Sequence, residues 1–251
     1  MSIDLNKFSG LEIEYDSGSI PPPFSHVYRL GLDWSKGDLE SDFVIHYTDR
    51  EELSEEEIYE EGFSLEDDYS AKVDLNSIWK EVVFEKLRST KWNSRSLKDE
   101  GISLALVEGK SAQAAKVPMD QEGWKLLAQD LIQAIYETNK KEAPLSIRFK
   151  VVTKEISVEA QITVYFSNRT VKLESNGKVE DLNWEFAIEL MKLIFTPDYN
   201  YEIARDQPGN KRGIYLDCGD GYWHVLGKGV TNVDREFDAV GRIEKGLMDL
   251  I

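Results

Sequence analysis

The chain of 251 residues is poor in the side chains from which most metal and nucleophilic sites are built, with one cysteine and three dispersed histidines, His26, His46 and His224. One cysteine forms no internal disulfide, and no histidines or cysteines stand at zinc-ligand spacing, so a structural zinc site is excluded and neither metal nor cofactor is expected. GxSxG, HExxH and GxGxxG are all missing from the sequence. Gly227-Lys228-Gly229 lacks both the upstream glycine and the Ser/Thr of a phosphate loop. Apolar runs stay well below the ~18 residues of a membrane span. The first ten residues, MSIDLNKFSG, lack the basic-then-apolar pattern of a leader, so a cytoplasmic chain with no membrane partner is expected.

Positive charge is also scarce: 30 Lys and Arg stand against 47 Asp and Glu, a formal net charge of −17. Nucleic acid is therefore not expected as a partner, because phosphate binding needs a basic face that releases counterions. The imbalance is concentrated. Residues 1–142 hold 30 acidic against 16 basic residues, a net of −14, and residues 143–251 hold 17 against 14, a net of −3.

What the chain has is apolar patterning, with 41% of residues hydrophobic, including six Trp, eleven Tyr and ten Phe. That is enough to offset chain entropy on folding. Leu11, Ile13 and Tyr15 alternate with Glu12, Glu14 and Asp16, the period of a half-buried strand. Pro21 to Pro23 then read as an extended linker outside any sheet. Tyr28, Leu30, Leu32 and Trp34 mark a second strand; Phe43, Ile45 and Tyr47 mark a third, with His46 on its opposite face.

In LSEEEIYEEGF, residues 53–63, Ser54 and Glu57 form a capping box, Leu53 and Ile58 a staple, and Gly62 the left-handed stop of a short helix. Residues 49–68 carry eleven acidic residues and one basic residue, more than capping requires. Glu55, Glu56, Glu60, Glu61, Asp67 and Asp68 are the candidate docking surface for a basic protein. Helical spacing recurs from Ser77 to Leu87, and again from Trp124 to Ile135 after an Asp120 cap. Between them, Lys86, Arg88, Lys91, Arg95 and Lys98 surround Trp92, a basic patch expected to pair with the protein's own acidic groups. Strand alternation returns at Ile102, Leu104 and Leu106, with a weaker segment at 111–117.

NKKEAP, residues 139–144, is the candidate domain boundary, giving an acidic domain over 1–142 and a second domain over 143–251. Leu145 to Leu173 alternate as three antiparallel strands, 182–195 reads as a helix, Tyr199 to Ala204 as a strand, and Val233 to Ile251 as a final helix capped by Asn232 or Thr231. Both halves then follow roughly βββ-α-ββ-α, an α+β fold of two similar antiparallel sheets covered by helices. In element order, without any residue motif, this resembles bacterial secretion chaperones, many of which are acidic proteins that hold other proteins.

The segment GIYLDCGDGYWHVLGKG, residues 213–229, gathers Cys218, His224, Asp217 and five glycines. With Asp220-Gly221 as a type I′ turn, Asp217 opposes His224 and Cys218 opposes Trp223 on the other side of the ribbon. That separation denies the thiol an imidazole base. Asp217 and His224 remain the candidate catalytic pair of a hydrolase or transferase. The reading favoured over it is a non-catalytic protein that docks a basic partner, as chaperones, immunity proteins and antitoxins do; the third is a scaffold subunit.

Overall fold

A computed structural model describes residues 4–93 and 100–251 of the chain. It divides into two units, Met1–Ala143 with Phe166–Asn168, and Pro144–Tyr165 with Arg169–Ile251. The break after Ala143 falls one residue beyond the position the sequence suggests.

In the first unit, β1 (Gly10–Asp16), β2 (His26–Asp33), β3 (Leu39–Tyr47) and β4 (Tyr69–Leu75) form an antiparallel meander, with α1 (Glu55–Glu60) between the last two. After α2 (Ser77–Ser89), β5 (Gly101–Glu108) returns beside β1, β6 (Ser111–Ala112) pairs with it, and α3 (Gln121–Thr138) closes the unit. The sheet order is β4-β3-β2-β1-β5-β6.

The second unit repeats this plan. β7 (Leu145–Val152), β8 (Ser157–Tyr165), β9 (Thr170–Ser175) and β10 (Lys178–Leu182) form the meander, followed by α4 (Trp184–Ile194). β12 (Gly213–Asp217) returns beside β7 and carries β13 (His224–Val225), and α5 (Ala239–Met248) closes the unit. The order β10-β9-β8-β7-β12-β13 matches the first sheet strand for strand. The additions are β11 (Asp198–Tyr199) and β14 (Val230–Thr231), which pair with each other.

Equivalent helices also start alike. Asn76 caps α2 and Asn183 caps α4, each by accepting a backbone N–H into its side chain. Asp120 caps α3 by accepting from Gly123 N, and Asp238 caps α5 by accepting from Gly241 N. A Cβ at Gly123 or Gly241 would stand 2.3 or 2.2 Å from the capping carboxylate as it is placed, so the two caps share an Asp-x-x-Gly arrangement. The α5 start lies beyond the Asn232 or Thr231 cap expected from sequence. Asn232 instead braces the true cap, donating to Asp238 Oδ1 and accepting from Val240 N.

Each core lies on the sheet face turned toward the unit's helices. Leu11, Ile13, Leu30, Leu32 and Phe43 are buried with Trp79, Val83 and Leu87 of α2 and Trp124, Leu131 and Ile135 of α3. Phe149, Ile162, Val164 and Leu216 do the same with Leu190 and Ile194 of α4 and Ile243 and Leu247 of α5. Burial of each such side chain contributes about 1.5–3 kcal/mol.

Two strands go beyond the expected pattern. β4 turns Tyr69, Ala71, Val73 and Leu75 inward, and β10 is an exposed edge reached through Asn176-Gly177, both at positive φ (52° and 72°), as a two-residue hairpin demands. The expected strand over 199–204 is instead the end of β11 and a single 3-10 turn, Tyr201–Ile203. Among the described residues, no helix is long and apolar enough to cross a membrane.

Candidate functional site

The β12–β13 ribbon has a different register from the one its sequence suggests. Tyr215 pairs with Val225 and Leu216 with His224, one residue out of step. Asp217 is responsible: its Oδ1 accepts from Gly219 N (2.9 Å) and Gly221 N (3.1 Å), drawing Cys218 to Trp223 into a six-residue loop. Only the glycines take positive φ there, 106° and 86°, so Asp220-Gly221 is not a type I′ turn. Trp223 pairs with Arg205 through both backbone groups.

A one-residue slip exchanges the two faces. Asp217 therefore does not face His224. Its Oδ2 accepts from Arg148 Nε at 2.9 Å and from Arg148 Nη2, so this carboxylate, 1% exposed, is fully engaged in holding the loop and β7. Cys218 and His224, expected on opposite sides, both lie near Tyr199: the thiol interacts with its phenol, which donates to Ile194 O at 2.6 Å, and the imidazole meets its ring edge-on at 5.1 Å. They still form no catalytic pair. Both ring nitrogens of His224 are buried without a hydrogen-bond partner, and burial, reinforced by the charges of Asp220 and Asp217, pushes the Cys218 thiol up to about 11. Tyr201 covers the imidazole from another side at 5.0 Å and donates to Asp220, which raises its own phenol to about 12. No activated nucleophile results.

The acidic stretch divides into two groups. Glu55, Glu56 and Glu60 on α1 and Glu61 at its C-cap are exposed, and the capping box of α1 is formed as expected, with Ser54 N donating to Glu57 at 2.8 Å. Asp67 and Asp68 are engaged inside the unit. Burial alone would raise the Asp67 carboxyl, but the Ser64 amide and hydroxyl and the Arg50 guanidinium outweigh it and hold it below the usual carboxylate range. Arg50 in turn donates to Pro23 O and lies over the Tyr47 ring at 3.9 Å. Asp68 accepts from His46 (2.7 Å) and Tyr47 N (2.8 Å). Asp67 is thus tied into the fold, and Asp68, its side chain about half exposed, is paired with His46 at the surface.

In the basic segment, Lys86 bonds Asp120 at 2.6 Å, and the Trp92 ring lies under Lys116, from outside that segment, at 5.8 Å. Arg95 and Lys98 lie outside the described residues. Among the described residues, no group of three or more potential metal ligands comes together.

The feature that the sequence reading did not assemble is the sheet face turned away from the helices. In the first unit it carries Glu12, Glu14 and Asp16 of β1, Asp33 of β2, Glu40 and Asp42 of β3, and Asp74 of β4, with Arg29 and Lys72 as its cations. Lys72 and Arg29 both approach Asp42, at 2.8 and 4.0 Å, and Lys36 reaches Glu40 from the β2–β3 turn at 2.7 Å. Asp74 stands directly opposite Glu40, and Glu40 opposite Asp33. Like charges in register destabilise a sheet.

No protein-family model, curated protein or solved structure matches this chain.

Two grooves cross the acidic face. One, of about 410 Å³, has Gly10 and Gly31 in its lining among Glu12, Asp33, Glu40, Asp42 and Asp74, with Arg29 and Lys72. The other, of about 670 Å³, carries Val27 and Val44 beside Glu14, Asp16 and Glu100. The signal for this face was present in the β1 alternation. Its full extent depended on β4, and on knowing which side the helices cover.

Proposed function

We propose that this is a non-catalytic binding protein whose acidic first unit docks a basic protein partner, in the manner of a chaperone, an immunity protein or an antitoxin. The observation that carries this reading is the open face of the first sheet, where seven carboxylates accompany two basic side chains on the same strands. A surface that holds like charges in register is destabilised alone and relieved by a cationic partner. Glu55, Glu56 and Glu60 on α1 and Glu61 at its C-cap extend the negative field and speed encounter, while half-buried Val27 and Val44 on the sheet add apolar contact.

Affinity capture from the source cell in low and high salt, with the recovered protein sequenced and its stoichiometry measured, tests this reading. A basic protein recovered near one-to-one at low salt and released at high salt is expected. Recovery of none at either salt argues against it. Changing Glu55, Glu56, Glu60 and Glu61 to Gln slows association without unfolding the chain.

A further inference from the structure

Gly31 lies in the middle of β2, paired on one side with Glu12 and on the other with Asp42. Glycine weakens a strand interior and is kept there when backbone conformation or a close neighbour excludes a side chain. Gly10 meets the second condition, because a Cβ on it would stand 2.5 Å from Leu32 O. Gly31 meets neither. Its φ is not positive, and the nearest atoms to a Cβ there are Asp42 O at 3.6 Å and Asp42 Cβ at 3.8 Å, ordinary contact distances. The protein's own packing therefore leaves the missing side chain unexplained. It leaves room in the groove of about 410 Å³, open to solvent on an uncovered sheet face and edged by Glu12, Asp33, Glu40, Asp42 and Asp74 together with Arg29 and Lys72.

We propose that this groove is the seat of a lysine or arginine side chain from an extended segment of the basic partner, an inference that rests on the function proposed above. The occupant follows from charge complementarity: Glu12 and Asp74 on its rim have no ion-pair partner among the described residues, and the Asp74–Glu40–Asp33 row crosses it. An aliphatic stem lies over the glycine floor, where a side chain at position 31 would otherwise stand, and the cationic head reaches the rim.

The test is titration of the full chain, in about 0.15 M salt where the Debye length is ~8 Å, with a fluorescein-labelled octapeptide alternating lysine and valine; an octapeptide alternating glutamate and valine serves as control. The wild-type chain binds the basic peptide saturably and the acidic one not at all. Gly31→Val fills the groove without changing charge, and weakens binding at least tenfold while raising the melting midpoint. Gly31→Ala, a smaller filler, moves both in the same directions by less. Changing Glu55, Glu56, Glu60 and Glu61 to Gln weakens equilibrium binding less than threefold. Wild-type affinity in Gly31→Val overturns the groove and leaves the broader function standing. Absence of saturable binding to the basic peptide, or equal binding of the acidic one, overturns both.

Discussion

The two sheets share one strand order and differ most on the faces that their helices leave open. In the second unit, oppositely charged residues stand opposite one another: Lys150 faces Glu159, Lys172 faces Asp181, and Arg148 faces Asp217. In the first, Glu14 faces Arg29 and Asp42 faces Lys72, but Asp74, Glu40 and Asp33 form an acidic row. Cross-strand charge pairs are worth roughly 0.2–1 kcal/mol each, favourable when opposite and unfavourable when alike. The second face thus sets most of its charges against opposite ones in register, with Arg148 and Asp217 closed as an ion pair, and the first carries a larger excess of negative charge. The same backbone plan carries a nearly balanced face in one unit and a net acidic one in the other.

Breaking the Arg148–Asp217 pair gives the largest expected change. Asp217→Ala removes the acceptor of Arg148 and of two loop amides and lowers stability by about 3 kcal/mol, read by urea unfolding, with binding of a basic peptide unchanged. A loss below about 1 kcal/mol shows that the loop holds itself without this carboxylate.

His224→Phe has a smaller effect of opposite sign. It removes two buried nitrogens that lack partners and keeps a ring between Tyr199 and Tyr201, so stability rises by about 1–2 kcal/mol. A clear fall in the unfolding midpoint means that the imidazole makes a contact the fold needs.

In the first unit, acid separates structural from open carboxylates. The folded Asp67 carboxyl is held low, so its contribution is fully present above the unfolded value of roughly 3.9 and is lost as pH falls through the folded one. Asp67→Asn is accordingly less stable than wild type by about 1 kcal/mol near neutrality. The gap narrows as pH falls from about 5 toward 2. Denaturant midpoints across that range check it, and a gap that widens on acidification has the wrong sign. Asp74→Asn is the mildest change: relieving the row opposite Glu40 stabilises the first unit by a few tenths of a kcal/mol. Any stability loss from that variant contradicts like-charge repulsion there.

Much of this architecture was readable where local chemistry decides it. The alternation of Leu11 to Asp16, the Ser54–Glu57 box and the Asp120 cap each depend on a few neighbouring residues, and each forms as read. β4 was hidden because Tyr69, Ala71, Val73 and Leu75 follow directly on an acidic run that resembles solvated loop. The Cys218 segment misled for a different reason. Its turn signal was sound locally, but Asp217 captures two loop amides and Arg148, 69 residues away, and the register yields to those contacts. The open acidic face belongs to neither strand nor helix alone. It exists only when four strands are placed in register and their helices are placed on the other side.

The most direct test compares the two faces at equal change of charge, by calorimetric titration of the lysine-valine octapeptide into two triple variants of the full chain. One carries Glu12→Gln, Glu14→Gln and Asp74→Asn; the other carries Glu159→Gln, Glu174→Gln and Asp181→Asn. If the first sheet holds the partner, the first variant loses at least tenfold in affinity and the second stays within twofold of wild type. Equal losses in both would mean that net charge alone attracts the peptide and that the open face has no special part in binding.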